Sequence, residues 1–161
     1  MSDGDELFMR EALKLADEAA GLGEVPVGSV AVKAGQIIGR GYNRREIDHD
    51  PFSHAELIAM REASAALKVW RLTGVTVYVT LEPCAMCAGA MVQSRVDRVV
   101  FGAFDPKAGA VGSLFNLVQD ARLNHRVEVD SGVLGDACSQ VLKTFFKSVR
   151  AQKSAAPLTT E

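Results

Sequence analysis

The sequence predicts an α/β sandwich, and two observations predict it. Amphipathic stretches of helical period alternate with short runs rich in β-branched residues along the 161-residue chain. Their order is a helix, a hairpin, then helix, strand, helix, strand, strand and a closing helix, and helices interspersed in this way pack on the faces of a sheet.

The first helix is expected over Glu6 to Leu22, with Leu7, Phe8, Ala12, Leu15, Ala16 and Ala19 at helical spacing and Gly21 and Gly23 ending it. Val25 to Lys33 is β-rich, and Ala34-Gly35 turns it into a second strand, Gln36 to Tyr42, so the two form a hairpin. Asn43 to Phe52 is a polar loop closed by Asp50-Pro51. Ser53 is placed to cap the next helix, with Glu56 three residues on in the capping-box position. That helix continues through Leu57, Ile58, Met60, Ala63 and Leu67. Val75 to Leu81 reads as a buried strand, followed directly by a helix over Ala85 to Ser94 and a strand over Val96 to Gly102. Ala103 to Ser113 is expected as a structured loop, Leu114 to Val118 as a short helical turn and Arg126 to Val129 as the last strand. The closing helix, Leu134 to Arg150, puts Val141, Leu142, Phe145 and Phe146 on its apolar side and Cys138 in the core. Residues 1–153 form one domain in this reading, and 154–161 a disordered tail.

Composition bounds the function. With 48% hydrophobic and 24% charged residues the chain has the balance of a soluble globular protein. No apolar run approaches the roughly 18 residues a membrane span needs, and Ser2-Asp3-Gly4-Asp5-Glu6 has the wrong charge for a secretory signal. Three cysteines argue against a disulfide framework and for a reducing cytoplasm. The net charge of −2 does not announce a nucleic-acid binder, but its distribution is uneven. The first 24 residues carry seven acids and two bases, whereas Lys143, Lys147, Arg150 and Lys153 stand on the last helix and beyond with no acid between them. That permits an RNA partner and equally describes a solvated helical face.

The chemistry is concentrated where the buried strand meets its helix, in Leu81-Glu82-Pro83-Cys84-Ala85-Met86-Cys87, and upstream in His54-Ala55-Glu56. Cysteines three apart on a first helical turn point to one side, and the positive end of the helix favours thiolate. With His54 they make three ligands, the number a catalytic zinc uses when its fourth position is kept for water. Glu56 stands two residues beyond the histidine, able to reach that position without being a ligand. A redox Cys-x-x-Cys is the competing reading, as is a structural zinc with a fourth ligand from His49, His125 or Cys138. Glu56 could also serve only as a cap.

His54-Ala55-Glu56 with Pro83-Cys84-Ala85-Met86-Cys87 resembles the signature of the zinc-dependent nucleoside deaminases. Pro26-Val27-Gly28-Ser29-Val30, Asn43-Arg44, Asp50-Pro51, Tyr78-Val79-Thr80-Leu81-Glu82, Gly102-Ala103 with Asp105 and Lys107, Gly112-Ser113, Asn124-His125 and Phe145-Phe146 narrow the resemblance. Together they resemble the bacterial tRNA-specific adenosine deaminases of the cytidine/deoxycytidylate deaminase superfamily, from about Phe8 to Arg150. The resemblance implies a three-layer α/β/α sandwich of cytidine deaminase-like fold, with a five-stranded mixed sheet. It implies one zinc per chain on His54, Cys84 and Cys87, Glu56 as the proton shuttle, and hydrolytic deamination of the wobble adenosine of a tRNA anticodon to inosine. It further implies a homodimer, with Asn43, Asp105, Lys107, Phe145 and Phe146 near the substrate. Each of these has a plainer reading: Asn43 as a turn former, Asp105 as the shaper of the Asp105-Pro106 turn, a phenylalanine as core. Within the superfamily the rival is a deaminase of a free base or nucleoside; outside it, an RNA-binding zinc protein without turnover.

Overall fold

The computed structural model describes residues 2–155. Ser2 caps the first helix, α1 (Asp3–Gly21), through a capping box with Asp5, so the helix begins three residues before the expected Glu6. The hairpin strands are β1 (Gly28–Lys33) and β2 (Gln36–Tyr42), followed by α2 (Ala55–Leu67), β3 (Val75–Leu81), α3 (Ala85–Gln93), β4 (Arg98–Ala103), β5 (Glu128–Ser131) and α4 (Gly135–Ala155). The short turn expected over Leu114 to Val118 is a 3₁₀ turn at Leu117–Gln119. The last helix runs through Ser154 and Ala155, which had been assigned to the tail; the rest of that expected tail, 156–161, lies outside the described residues. Among the described residues no helix is long and apolar enough to cross a membrane.

The sheet order is β2-β1-β3-β4-β5, antiparallel on either side of β1 and parallel from β3 through β5, which is the expected five-stranded mixed sheet. Strand residues alternate between two cores. Val75, Val77 and Val79 join Ala59, Met60 and Ala63 of α2 and Ala88, Met91 and Val92 of α3. Val30, Val32, Tyr78 and Val100 join Met9 and Ala12 of α1 and Cys138 of α4 on the opposite face. Three layers result. Glycines bring α2 down onto the hairpin: a Cβ at Gly39 would overlap the Ala59 carbonyl oxygen, and one at Gly41 the Ala55 carbonyl oxygen. That close approach sets the depth at which α2 starts.

The start of α2 corrects one expectation. His54, not Ser53, is its N-cap residue, in extended backbone with φ −81° and ψ 149°. The Ser53 hydroxyl is turned to the carboxylates of Asp48 and Asp50, at 3.3 and 3.1 Å, so the capping box with Glu56 does not form. The polar loop offers the Ser53 O–H charged acceptors, and donating to them turns the hydroxyl oxygen away from the helix N–H groups that it would accept as a cap.

Under the second core lies a buried ionic knot. Arg98 of β4 donates both terminal nitrogens to Asp5, at 2.9 and 2.8 Å, and Tyr78 donates its hydroxyl to the same carboxylate at 2.7 Å. The guanidinium, followed by the Tyr78 and Ser2 hydrogen bonds, outweighs burial and holds the Asp5 carboxyl well below the ordinary 3.8. The unfolded chain therefore takes up this proton first as pH falls. The stabilisation is complete above about pH 4 and is lost as pH drops toward the folded value. Arg98→Met should cost about 3–5 kcal/mol at pH 7, because it strands a buried carboxylate. In urea titrations its deficit against the wild type should shrink below pH 4; a deficit independent of pH would place the cost in packing instead.

Candidate active site

Two helix starts meet at one end of the sheet. His54 caps α2 and Cys84 caps α3, the latter at φ −75° and ψ 176°, and neither side chain makes a capping hydrogen bond. Pro83 biases the residue before it, Glu82, to extended backbone in the short link between the end of β3 at Leu81 and the start of α3 at Ala85. Cys87 sits one turn into α3 and is fully buried. Its Sγ lies 3.4 Å from His54 Nδ1, and Cys84 Sγ lies 3.6 Å from the same nitrogen. All three donor atoms fall within 4.8 Å of one another. A tetrahedral zinc with ordinary Zn–N and Zn–S bonds separates such donors by about 3.5–3.8 Å. The donor set therefore fits an ion of that size and softness.

The electrostatics run the same way. The hydrogen bond from Cys87, then that from His54, hold the Cys84 thiol down at about 3 against the cost of burial. Cys87 is pushed up by its bond to Cys84 and by its own burial. The Cys84 sulfur in turn raises His54. Burial raises the Glu56 carboxyl, offset only in part by its own backbone N–H and by His54.

A cleft of about 230 Å³ opens beside the cluster, lined by His54, Glu56, Cys84, Asn43 and Asp105 among others. The structure thus brings five of the nine expected site residues to one cleft and seats Cys87 behind it. Asn43 is buried, donates Nδ2 to the Val25 carbonyl at 3.1 Å and accepts the Arg45 N–H at 3.3 Å. It holds the loop entrance as the turn reading required, with a second amide N–H to spare. Asp105 Oδ1 accepts the N–H groups of Lys107 and Ala108, at 3.0 and 3.2 Å, which is the turn-shaping role.

The remaining three lie elsewhere. Lys107 and Phe146 share a separate groove with Leu142, Lys143 and Arg150. Phe145 packs edge-on against Phe146 and lines a groove shared with Asp17 and Ala20 of α1. Neither phenylalanine lines the cleft; on α4 Cys138 is buried, Phe145 half-buried and Phe146 exposed. Among the lining residues not expected at the site, two are charged, Arg45 and Glu82. Glu82 is 2% exposed. Burial alone would raise its carboxyl, but the Ser113 hydroxyl and the N–H groups of Asp105, Ser113 and Val111 outweigh it and hold the group below the usual range. An acid ending a buried strand directly before Pro83-Cys84 was the signal available for it.

The model of the MafB19-like deaminase family matches residues 3–150. A tRNA-specific adenosine deaminase of Bacillus subtilis is 55% identical over 152 residues, covering 94% of this chain and 94% of that protein. One from Haemophilus influenzae is 52% identical, covering 94% and 88%. A solved structure from studies of A-to-I editing by tRNA:A34 deaminases at the wobble position of transfer RNA superposes with a TM-score of 0.82 at 40% identity, covering 84% of this chain and 99% of that one.

Proposed function

The chain belongs to the MafB19-like deaminases and to the tRNA-specific adenosine deaminases, and from that premise we propose that it converts adenosine to inosine at the wobble position of a tRNA anticodon. The observation that carries the reading is a buried carboxylate, Glu56, lining the same cleft as His54 and Cys84 and taking no part in a capping box. His54, Cys84 and Cys87 would hold one zinc ion, which supplies Lewis-acid activation of water.

Glu56 moves the protons. It takes one from the attacking water and places it on N1 of adenine, then takes the second water proton from the new hydroxyl on C6 and delivers it to the exocyclic nitrogen, a poor leaving group until protonated, so that ammonia departs and the N1 proton stays in inosine. Burial raises this carboxyl above its ordinary value, the direction that a proton-accepting group needs. Asn43 offers its spare amide N–H to the bound nucleoside. Residues 1–153 act as one deaminase domain in this reading, working in the cytoplasm as a homodimer. Light scattering on the purified chain tests the dimer.

An RNA path away from the cleft is supported by the 103–113 loop, whose Asp105 lines the cleft while its Lys107 lines the groove on α4. In that groove Lys143 and Arg150 flank the exposed ring of Phe146. Reversing both charges, Lys143→Glu with Arg150→Glu, should weaken anticodon stem-loop binding and flatten its salt dependence by about one unit per lost phosphate contact. Lys147→Glu, outside the groove lining, should change both far less. Equal binding by all three proteins across a salt series would return α4 to a solvated face.

The reaction itself is tested by ammonia release from an anticodon stem-loop, set beside free adenosine, cytidine and guanine. Turnover confined to the stem-loop supports the reading. Turnover of a free base or nucleoside instead would move the chain to the rival class of deaminase.

A further inference from the structure

We propose that Glu82 is a positioning residue for the substrate, its carboxylate the peg around which the 105–113 loop is fixed as a wall of the cleft. The inference rests on the deaminase reading above and deepens it.

Glu82 Oε1 accepts the Asp105 N–H at 3.0 Å and the Ser113 hydroxyl, and Oε2 accepts the Val111 and Ser113 N–H groups at 3.1 and 3.0 Å. A carboxylate has about four lone-pair directions to offer, and these donors use them all. No capacity remains for a metal ion or a substrate donor, so the group acts through the loop. The loop comes so close that a Cβ on Gly109 would overlap the carboxylate carbon and both oxygens. Backbone bonds lace the same strand end to the loop: Glu82 N–H to Ala103 O and Ala110 N–H to Pro83 O, both 2.8 Å.

A buried charge is costly unless it is fully hydrogen-bonded, and this one stands two residues from Cys84 in a cleft proposed to receive a polyanion. What it provides is placement. Asp105 and Ala108 line the cleft, and their positions follow from where the peg holds the loop. A neutral amide at the same site would turn N–H donors toward N–H donors, so Glu82→Gln should free the loop while leaving the His54, Cys84 and Cys87 donors as they are.

The test uses the zinc-loaded protein and an anticodon stem-loop. Glu82→Gln should raise KM about tenfold or more with kcat within about threefold, the pattern of lost binding that does not reach the reacting atoms. Zinc content should stay at the wild-type level, and amide exchange at Asp105, Val111 and Ser113 should quicken. Ser113→Ala, which removes one side-chain donor, should move KM the same way by less, and it carries the test if Glu82→Gln does not fold. A fall in kcat at unchanged KM, loss of zinc, or unchanged exchange at those amides would overturn the proposal. If the wild type itself does not turn the stem-loop over, the deaminase reading fails, and hydrogen exchange still decides the peg.

Discussion

Glu56→Gln is expected to retain zinc at the wild-type ratio and to lose turnover by about 10²–10⁴-fold or more, since both proton transfers depend on one group. The substitution is close to isosteric, which matters at a side chain only 4% exposed at the second position of α2. Packing is preserved, and the amide can still hydrogen-bond; what it cannot do is accept and return a proton. Burial already disfavours the charged carboxylate, so the neutral amide should cost little stability, and thermal unfolding of the metal-free variant should match the metal-free wild type. Metal analysis together with ammonia release on the stem-loop checks both halves. Loss of zinc along with activity would make Glu56 a ligand and leave the proton shuttle without a residue.

The features behind that expectation are local to the sequence. His54-Ala55-Glu56 and Cys84-Ala85-Met86-Cys87 each occupy one helical turn, and a turn has a known geometry. The alternation of β-branched and amphipathic segments likewise exposed the layers, since Val75, Val77 and Val79 meet one core and Tyr78 the other. What stayed hidden depends on contacts between distant segments. The Glu82 peg draws donors from 23 to 31 residues away, and Asp5 meets Arg98 across 93. No periodicity records such pairings.

The cap of α2 was missed for a different reason. Ser53 and His54 are adjacent and either can be extended, and only the nearby Asp48 and Asp50 carboxylates decide where the serine hydroxyl turns. On α4 the expected apolar face holds at Cys138, Val141, Leu142 and Phe145, but Phe146, placed on the same side, is exposed. Burial is complete at Cys138 and partial beyond it.

Cys87→Ala should abolish zinc binding, whereas Cys138→Ala should leave it intact. Cys87 supplies one of the three donors and is fully buried between α3 and the sheet, 3.4 Å from His54 Nδ1. Without it two donors remain, His54 and Cys84, and a two-ligand site competes poorly with water and buffer for the ion. Because the metal binds the folded chain and stabilises it by mass action, the variant should melt about 2–4 °C below chelator-treated wild type, the cost of the truncated buried side chain, and added zinc should not raise its Tm. Cys138 faces the opposite core, its Sγ packed against Gly102 where a Cβ would collide with it. Burial pushes that thiol up to about 12, and it lies outside the cluster of His54, Cys84 and Cys87. Its replacement should cost about 1 kcal/mol, or about 2–4 °C in Tm for a chain of this size. The zinc-dependent rise in Tm should survive intact. Loss of that rise in Cys138→Ala would make the site a four-ligand structural one, with no open position for water and no hydrolytic chemistry.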